Sequence, residues 1–191
     1  GEEARFSFTY RISKDQFYAY NEQQLRANAI QGNKRMRIMG IIEIAFFLLL
    51  GGNMLRQVSV GEAVNPLYWV LILVILGGGL FSILYYPYYY PKKLRKASDK
   101  LYDESSYLQN PITLQFYRDC MTEESRGEVH IADYETVSGF VSLAEFYFFA
   151  LGDRRGVIMP KSVFQDDSQA ESFFEYMNEV RDRHYLKYTR K

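Results

Sequence analysis

Glu43 is the side chain of this sequence whose type and position most directly suggest chemistry. It lies in the apolar run Met36–Leu55, "MRIMGIIEIAFFLLLGGNML", in which Arg37 is the other charged residue. An ionisable residue inside a membrane is rare, and proton relay or contact with a partner helix is a typical role. The alternative is a neutral carboxyl, or one that reaches the interface, because Glu43 lies roughly two turns into a core that is ~30 Å thick. Glu43 is therefore a candidate intramembrane functional residue.

Two groups of cations are candidates for contact with lipid headgroups. They are Lys92, Lys93, Arg95 and Lys96 after a second apolar run, and Arg154, Arg155 and Lys161 in a later hairpin and its exit. A basic residue beside an anionic leaflet contributes about 1 kcal/mol to membrane binding. The alternative is that the first group only determines membrane topology, and that the second is solvated surface charge.

The other residues with chemical potential form no recognisable catalytic or metal-binding pattern. His130 and His184 lack metal-ligand spacing to Cys, Asp or Glu, and we expect both on the surface. The single cysteine, Cys120, excludes an internal disulfide and a cysteine-rich zinc site. The sequence has neither a phosphate-binding loop nor a G-x-S-x-G motif. We therefore predict that the chain is not an enzyme and holds no cofactor or metal, and its zero formal net charge gives no sign of a nucleic-acid partner.

Two apolar runs in the first half of the chain are long enough to cross a membrane. No charged residue occurs between Pro66 and Pro91, and a helix needs about 20 apolar residues to cross the hydrocarbon. Met36–Leu55 is the weaker run, because a carboxylate near mid-helix disfavours insertion by roughly 2.5–3.5 kcal/mol. The pattern predicts transmembrane helices over residues 34–56 and 66–90, joined by an extracytoplasmic loop over residues 57–65.

The residues that flank these runs predict the orientation of the hairpin. Tyrosines cluster between Tyr85 and Tyr90, and tyrosine is enriched where hydrocarbon meets the headgroups. Basic residues follow this cluster and precede the first run, whereas the loop offers only Arg56. The positive-inside rule therefore places both termini in the cytoplasm. No charged leader with a short apolar core opens the chain, so we expect no cleaved signal peptide.

The segments on either side of the hairpin predict a strand and two helices. Residues 5–12, "RFSFTYRI", alternate like a half-buried strand, and Ser13 with Gln16 forms a capping box before a helix. We expect that helix to break at Gly32-Asn33. After the hairpin, a connecting helix is predicted up to Pro111, with its apolar positions seven residues apart at Leu94, Leu101 and Leu108.

The second half of the sequence predicts further antiparallel strands and a closing helix. The strands cover residues 112–117, 128–132, 145–151 and 156–160, the third of which is apolar on both faces and reads as central. In the second strand we expect Val129 and Ile131 to face inward and His130 outward. Gly152–Gly156 is predicted as a turn. A capping box at Ser168 and Glu171 precedes the last helix, with an apolar face of Phe173, Phe174, Met177 and Val180.

Together these elements predict an α+β fold. A two-helix transmembrane hairpin is inserted in the sequence of a small cytoplasmic antiparallel-sheet domain that is closed by a C-terminal helix. Residues 1–33 supply the N-terminal strand and a juxtamembrane helix, and residues 91–191 supply the connecting helix and the rest of the domain.

This order of elements resembles the YcxB-like family of bacterial membrane proteins. The resemblance is carried by "ITLQFYRDCMTEES" and "IADYETVSGFVSLAEFYFFALGDRRGVIMPKSVF", above all by Gly156–Phe164, "GVIMPKSVF". One departure is Asp133-Tyr134, where the family pattern suggests a tryptophan. The resemblance implies a pleckstrin-homology-like cytoplasmic domain and a bacterial inner-membrane location. It implies no established activity, because fold analogy does not transfer function.

The sequence therefore favours a membrane-anchored cytoplasmic binding module that acts as a scaffold, regulator or accessory subunit. Its expected partners are the lipid bilayer, anionic headgroups, and either an unidentified protein or a second copy of the chain. The alternative is a membrane-embedded transport or sensing component that uses Glu43 and is gated by the cytoplasmic domain.

Overall fold

A computed structural model of the chain describes residues 3–152 and 155–190. Its contacts divide the chain into two compact units. Unit 1 comprises Gly1–Gln24 and Ala97–Lys191, and unit 2 comprises Leu25–Lys96. Unit 2 is therefore an insertion in the sequence of unit 1. The strands of unit 1 and the helices of unit 2 confirm the predicted α+β class.

Sheet A of unit 1 has four antiparallel strands in the order β1-β2-β3-β4. They are β1 (Phe6–Tyr10), β2 (Ile112–Phe116), β3 (Cys120–Ser125) and β4 (Glu128–Asp133). The alternation predicted for β1 and β2 is confirmed, because Phe8, Tyr10, Leu114 and Phe116 are buried. The N-terminal strand therefore pairs with a strand that follows it by about a hundred residues, from Phe6 opposite Phe116 to Tyr10 opposite Ile112.

Sheet B has the strand order β7-β6-β5-β8. It contains β5 (Val137–Ser142), β6 (Phe146–Leu151), β7 (Gly156–Pro160) and β8 (Lys187–Arg190). β5, β6 and β7 are antiparallel, whereas β8 runs parallel to β5. The interior position of β6 confirms the prediction of a central strand. The turn predicted over Gly152–Gly156 includes Asp153 and Arg154, which lie outside the described residues.

Helix α5 (Asp167–His184) packs its apolar side on the core of unit 1. The Phe173 ring lies 5.0 Å from the Phe116 ring and 5.5 Å from the Phe8 ring, both edge to face, which is a favoured geometry for aromatic pairs. The predicted cap at Ser168 is wrong by two residues. Asp166 is the N-cap and accepts a hydrogen bond from Gln169 N at 2.7 Å, because its carboxylate suits the unpaired amides of the first turn.

Helix α1 (Lys14–Ser59) begins in unit 1 and continues through unit 2. The predicted capping box is confirmed, since Gln16 N donates to Ser13 Oγ at 3.1 Å and Ser13 N donates to Gln16 Oε1 at 3.0 Å. The predicted break at Gly32-Asn33 is wrong. A Cβ at Gly32 would overlap the Tyr86 hydroxyl, so this glycine makes room for a tyrosine within a continuous helix.

The second half of unit 2 is also helical throughout. Helix α2 (Pro66–Leu84) leads through a π-helical turn, Tyr85–Tyr89, into α3 (Tyr90–Glu104). Pro87 lies inside that turn, and the wider turn accommodates a residue that has no N–H to donate. The proline therefore changes the helical pitch and does not end the helix.

The connecting helix differs from its prediction at its C-terminal end. It stops at Glu104, and a short helix α4 (Ser106–Gln109) follows. Ser105 caps α4 by accepting a hydrogen bond from Leu108 N, which interrupts the expected seven-residue pattern. Leu101 is consequently exposed, whereas Tyr102 is buried with its hydroxyl donating to the Ile12 carbonyl.

Candidate functional site

Unit 1 contains a cavity of about 580 Å³ between strands of its two sheets. We call it the Glu123 cavity. Its lining comes from β3, β4, β6, β7 and the segments next to them: Met121, Glu123, His130, Ile131, Ala132, Thr136, Leu151, Gly152, Arg155 and Val157. A volume of this size lies within the usual range for small-molecule sites.

The register of sheet A directs a carboxylate into this cavity. Glu123 lies between Leu114 of β2 and His130 of β4 as cross-strand partners. Residues directly opposite each other share one face of the sheet, and Leu114 is fully buried. Glu123 therefore faces inward, and only 4% of its surface is exposed.

The same register overturns the prediction for β4. His130, Ile131 and Ala132 line the cavity, but Val129 and Ile131, expected to face inward, are 58% and 69% exposed. The expectation that His130 lies outward was wrong, because pairing with β3 places it opposite Glu123. A shift by one residue would exchange the two faces, so the polar pair is a consequence of the register.

Arg155 is the cation nearest to Glu123 among the described side chains. Its Nη2 lies 4.0 Å from Glu123 Oε2, and its side chain is 41% exposed. A close charged hydrogen bond has a length of about 2.7–2.9 Å. Arg155 therefore forms only a long ion pair with Glu123.

Two further groups surround the polar wall of the cavity. Burial, followed by hydrogen bonding and charge repulsion from Glu123, raises the pKa of Tyr107. Its phenol therefore stays protonated and can donate to the carboxylate. His130 Nε2 lies 3.6 Å from Glu128 Oε2. Apart from Thr136, the remaining side chains of the lining are apolar, among them Met121, Leu151 and Val157.

The sequence pattern did not identify Glu123 or Tyr107 as site residues. The segment "CMTEES" has no apolar alternation, so β3 was not predicted. The two-residue turn after β3, which contains a glycine, is the feature that could have indicated this strand. Arg126 and Gly127 have φ of 58° and 77°, the positive values that a two-residue hairpin turn requires. A hairpin centred on this pair sets Glu123 opposite His130.

The Glu123 cavity has the size of a small-molecule site, and its described lining contains no recognisable reaction centre. Within residues 3–152 and 155–190 there is no group of three His, Cys, Asp or Glu residues that could hold a metal ion. His184, expected on the surface, is largely buried, with 12% of its side chain exposed and Nε2 at 3.7 Å from Asp119. It packs against the Tyr134 ring at 5.5 Å, outside the lining of this cavity.

Glu43 lies within the helix pair of unit 2. Ser82 Oγ donates to Glu43 Oε2 at 3.5 Å, which is a weak hydrogen bond. A Cβ at Gly78 would lie 3.4 Å from the same carboxylate oxygen. Glu43 of α1 therefore faces α2, where the Ser82 hydroxyl and Gly78 lie next to its carboxylate.

The predicted headgroup cations are distributed over both units. Lys92, Lys93 and Lys96 are exposed on α3 in unit 2, and Arg95 is half-buried there. Lys161 of unit 1 already has partners within the protein. Its Nζ donates to Ser142 Oγ at 2.9 Å and lies 4.7 Å from the centre of the Tyr147 ring, and burial lowers its pKa. Arg154 lies outside the described residues.

Comparison with known proteins found no match to a family model, to a curated protein or to a solved structure.

Proposed function

We propose that the chain is a membrane-anchored binding module. Unit 2 crosses a bacterial inner membrane twice, and unit 1 faces the cytoplasm and acts by interaction, as a scaffold, regulator or accessory subunit. We also propose that unit 1 has a pleckstrin-homology-like fold and that the chain is YcxB-like. Two four-stranded sheets, with α5 before the last strand β8, support that assignment.

The observation that carries the proposal is the exposure of the two apolar helices. Both are long and apolar enough to cross a membrane, and only 11% and 17% of their most apolar windows are buried. The core helix of a soluble protein would be mostly buried. Leu49 and Leu67 are 71% and 72% exposed, and apolar surface that is continuous along two helices indicates a lipid or protein environment.

The proposed topology is supported by the charges on unit 2. Lys34, Arg35 and Arg37 precede the apolar part of α1, and the basic group of α3 follows the tyrosine turn. The opposite end of the hairpin has Arg56 beside the loop. Positive charge is retained on the cytoplasmic side, so both termini are cytoplasmic.

Cysteine labelling in intact cells tests this topology. In a Cys120→Ser background, Glu62→Cys marks the loop and Glu104→Cys marks the exposed end of α3. A membrane-impermeant maleimide should label the first variant in intact cells and the second only after permeabilisation. Labelling of both in intact cells, or recovery of the whole chain from the aqueous fraction without detergent, refutes the proposal.

The open edge of β4 is the proposed contact surface for a protein partner. β4 is the last strand of sheet A, and its residues Val129 and Ile131 are exposed. An unpaired edge with apolar side chains can add a strand from another chain. The substitutions Val129→Lys and Ile131→Lys together should abolish copurification of a stoichiometric partner from native membranes. Ser7→Lys, exposed on the opposite edge strand β1, is the matched control.

A second candidate function is a transport or sensing component that uses Glu43. The contact between Glu43 and Ser82 favours it, since an ionisable residue inside a membrane is by default a functional hypothesis. Glu43→Gln should then abolish ion flux or a cellular phenotype at unchanged membrane abundance. An unchanged phenotype at equal abundance removes this candidate and leaves the binding module.

A further inference from the structure

Glu123 is a buried carboxylate whose described neighbours are a neutral phenol, Tyr107, and one guanidinium at a distance. Its exposed fraction is 4%, whereas its nearest described cation, Arg155, is 4.0 Å away and 41% exposed. A carboxylate removed from water loses several kcal/mol of solvation unless close partners replace it. The space beside Glu123 is cavity, so a closer positive group can enter there.

The inward face of sheet A supplies the carboxylate of the described lining, Glu123. Glu123 and His130 are cross-strand partners, and Glu128 lies 3.6 Å from His130. Arg155 is the opposing cation of the lining. The Glu123 carboxylate is 4% exposed, whereas the Arg155 side chain is 41% exposed, so the inner part of the cavity presents a carboxylate, which favours a cation over an anion.

The rest of the lining determines what kind of group the remainder of the ligand must be. Met121, Ala132, Leu151 and Val157 provide an apolar surface opposite and beside the polar pair. A site with a few polar groups in an apolar wall selects a ligand that has one polar end and one apolar end. The volume of about 580 Å³ accommodates a ring or a short chain.

We propose that the Glu123 cavity binds a small organic cation. A primary ammonium group of the ligand pairs with Glu123, in place of the distant Arg155 guanidinium, and its apolar body packs on Met121 and Val157. The inference rests on the proposed role of unit 1 as a binding module, but it does not depend on the membrane topology of unit 2.

Benzylamine, which is protonated at neutral pH, is a suitable probe. Its binding to the full chain in nanodiscs of zwitterionic lipid can be followed by saturation-transfer NMR, with benzyl alcohol as the neutral analogue and benzoate as the anionic one. We expect saturable binding of benzylamine and at least tenfold weaker binding of benzyl alcohol, because truncating a buried charge pair typically costs more than the 1.4 kcal/mol of a tenfold change.

Three variants connect that binding to the proposed residues. Glu123→Gln should weaken benzylamine binding at least about tenfold. Glu124→Gln removes the same charge from the neighbouring exposed position and should leave binding unchanged. Arg155→Gln removes the internal competitor and should tighten binding several-fold. If Glu123→Gln does not fold, tighter benzylamine binding by Arg155→Gln still supports the proposed site, and unchanged or weaker binding contradicts it.

Other outcomes overturn the inference. The absence of saturable benzylamine binding up to about 10 mM, well above the millimolar affinity of weak specific ligands, refutes it. Equal binding of benzylamine and benzyl alcohol would show that the benzyl group alone causes binding and that Glu123 does not recognise the ammonium group. Binding of benzoate that Arg155→Gln abolishes identifies an anion site. The cysteine labelling of the hairpin is independent of all three results, so failure of this proposal and failure of the topology are distinguishable.

Discussion

Gly40 of α1 and Gly79 of α2 lie against each other without side chains between them. A Cβ at Gly40 would lie 2.7 Å from the Gly79 carbonyl oxygen, and a Cβ at Gly79 would lie 3.1 Å from the Gly40 carbonyl oxygen. Small residues at such contacts allow helix backbones to pack closely in lipid, where apolar burial alone does not hold helices together. The approach brings Glu43 within reach of Ser82.

Gly40→Ala should therefore destabilise the helix pair by about 1–3 kcal/mol, which is the usual range for overpacking. The backbone oxygen that the new methyl group meets cannot rotate away. Unfolding of the purified chain by sodium dodecyl sulfate, followed by the fluorescence of the single tryptophan, Trp69, measures the effect. Gly51→Ala, on the same helix with open space around it, is the control and should be neutral or stabilising by up to about 1 kcal/mol. Equal effects of the two substitutions contradict the close contact.

A double-mutant cycle measures the contact between Glu43 and Ser82. The variants Glu43→Ala, Ser82→Ala and their combination should give a favourable coupling of about 0.6 kcal/mol, the average for interhelical hydrogen bonds in membranes. The same detergent titration supplies the four free energies of unfolding, those of the three variants and of wild type. Additive effects would show that Glu43 and Ser82 are neighbours without an energetic contact, and would leave Glu43 to a role outside the helix pair.

Tyr134 is fully buried beneath α5. Because its phenol is buried, we expect the free energy of unfolding to fall at alkaline pH. Its hydroxyl lies 3.1 Å from the Tyr176 hydroxyl, which itself donates to the Tyr117 carbonyl. Burial, followed by the hydrogen bond to Tyr176, raises the pKa of Tyr134. Above pH ~10 the unfolded chain releases this proton while the folded chain keeps it, so the free energy of unfolding falls by about 1.4 kcal/mol per pH unit.

Thermal unfolding across that alkaline range checks the prediction for Tyr134. Tyr134→Phe should reduce the slope of stability against pH above ~10 and cost about 0.5–1.5 kcal/mol at neutral pH through the lost hydrogen bond. Tyr185→Phe, at an exposed tyrosine of the same unit, should leave the slope unchanged. An equal slope in wild type and Tyr134→Phe would mean that other groups control alkaline unfolding.

The elements that sequence alone predicted are those whose local pattern agrees with their final environment. The alternation of β1 is confirmed because the β2 residues opposite its inward face, Leu114 and Ile112, are apolar. The box of Ser13 and Gln16 is confirmed because its hydrogen bonds are local. β6 is apolar on both faces and lies inside sheet B. In each case residues within about ten positions decide the structure.

The elements that were missed depend on distant partners. Val129 and Ile131 form a plausible inward face until β3 sets the register and directs His130 inward. The strand β8 is too short and polar to predict alone, and it exists because it pairs with β5. The Glu123 cavity was hidden for the same reason, since its polar wall is visible only once β2, β3 and β4 are aligned.

The backbone conformation of Tyr185, the residue that follows α5, predicts that replacing it with glycine stabilises unit 1. It has φ 56° and ψ 36°, the left-handed conformation, and its N–H donates to the Arg181 carbonyl. That turn returns Leu186 to the core, where it is 7% exposed, and leads into β8. A non-glycine residue in this conformation costs roughly 1–2 kcal/mol, and Tyr185 gains little packing in return because its side chain is 93% exposed.

Tyr185→Gly should therefore stabilise unit 1 by about 0.5–1 kcal/mol, after the greater freedom of glycine in the unfolded chain offsets part of the relieved strain. Tyr185→Ala removes the same side chain but retains a Cβ, so it should give no such gain. Hydrogen exchange of the amides of β5 and β8 measures the difference, because both strands depend on the return of the chain after α5. Slower exchange in Tyr185→Gly than in Tyr185→Ala is the expected result. Equal exchange in the two variants would show that the left-handed turn carries no strain, and that β8 is held by its pairing with β5 alone.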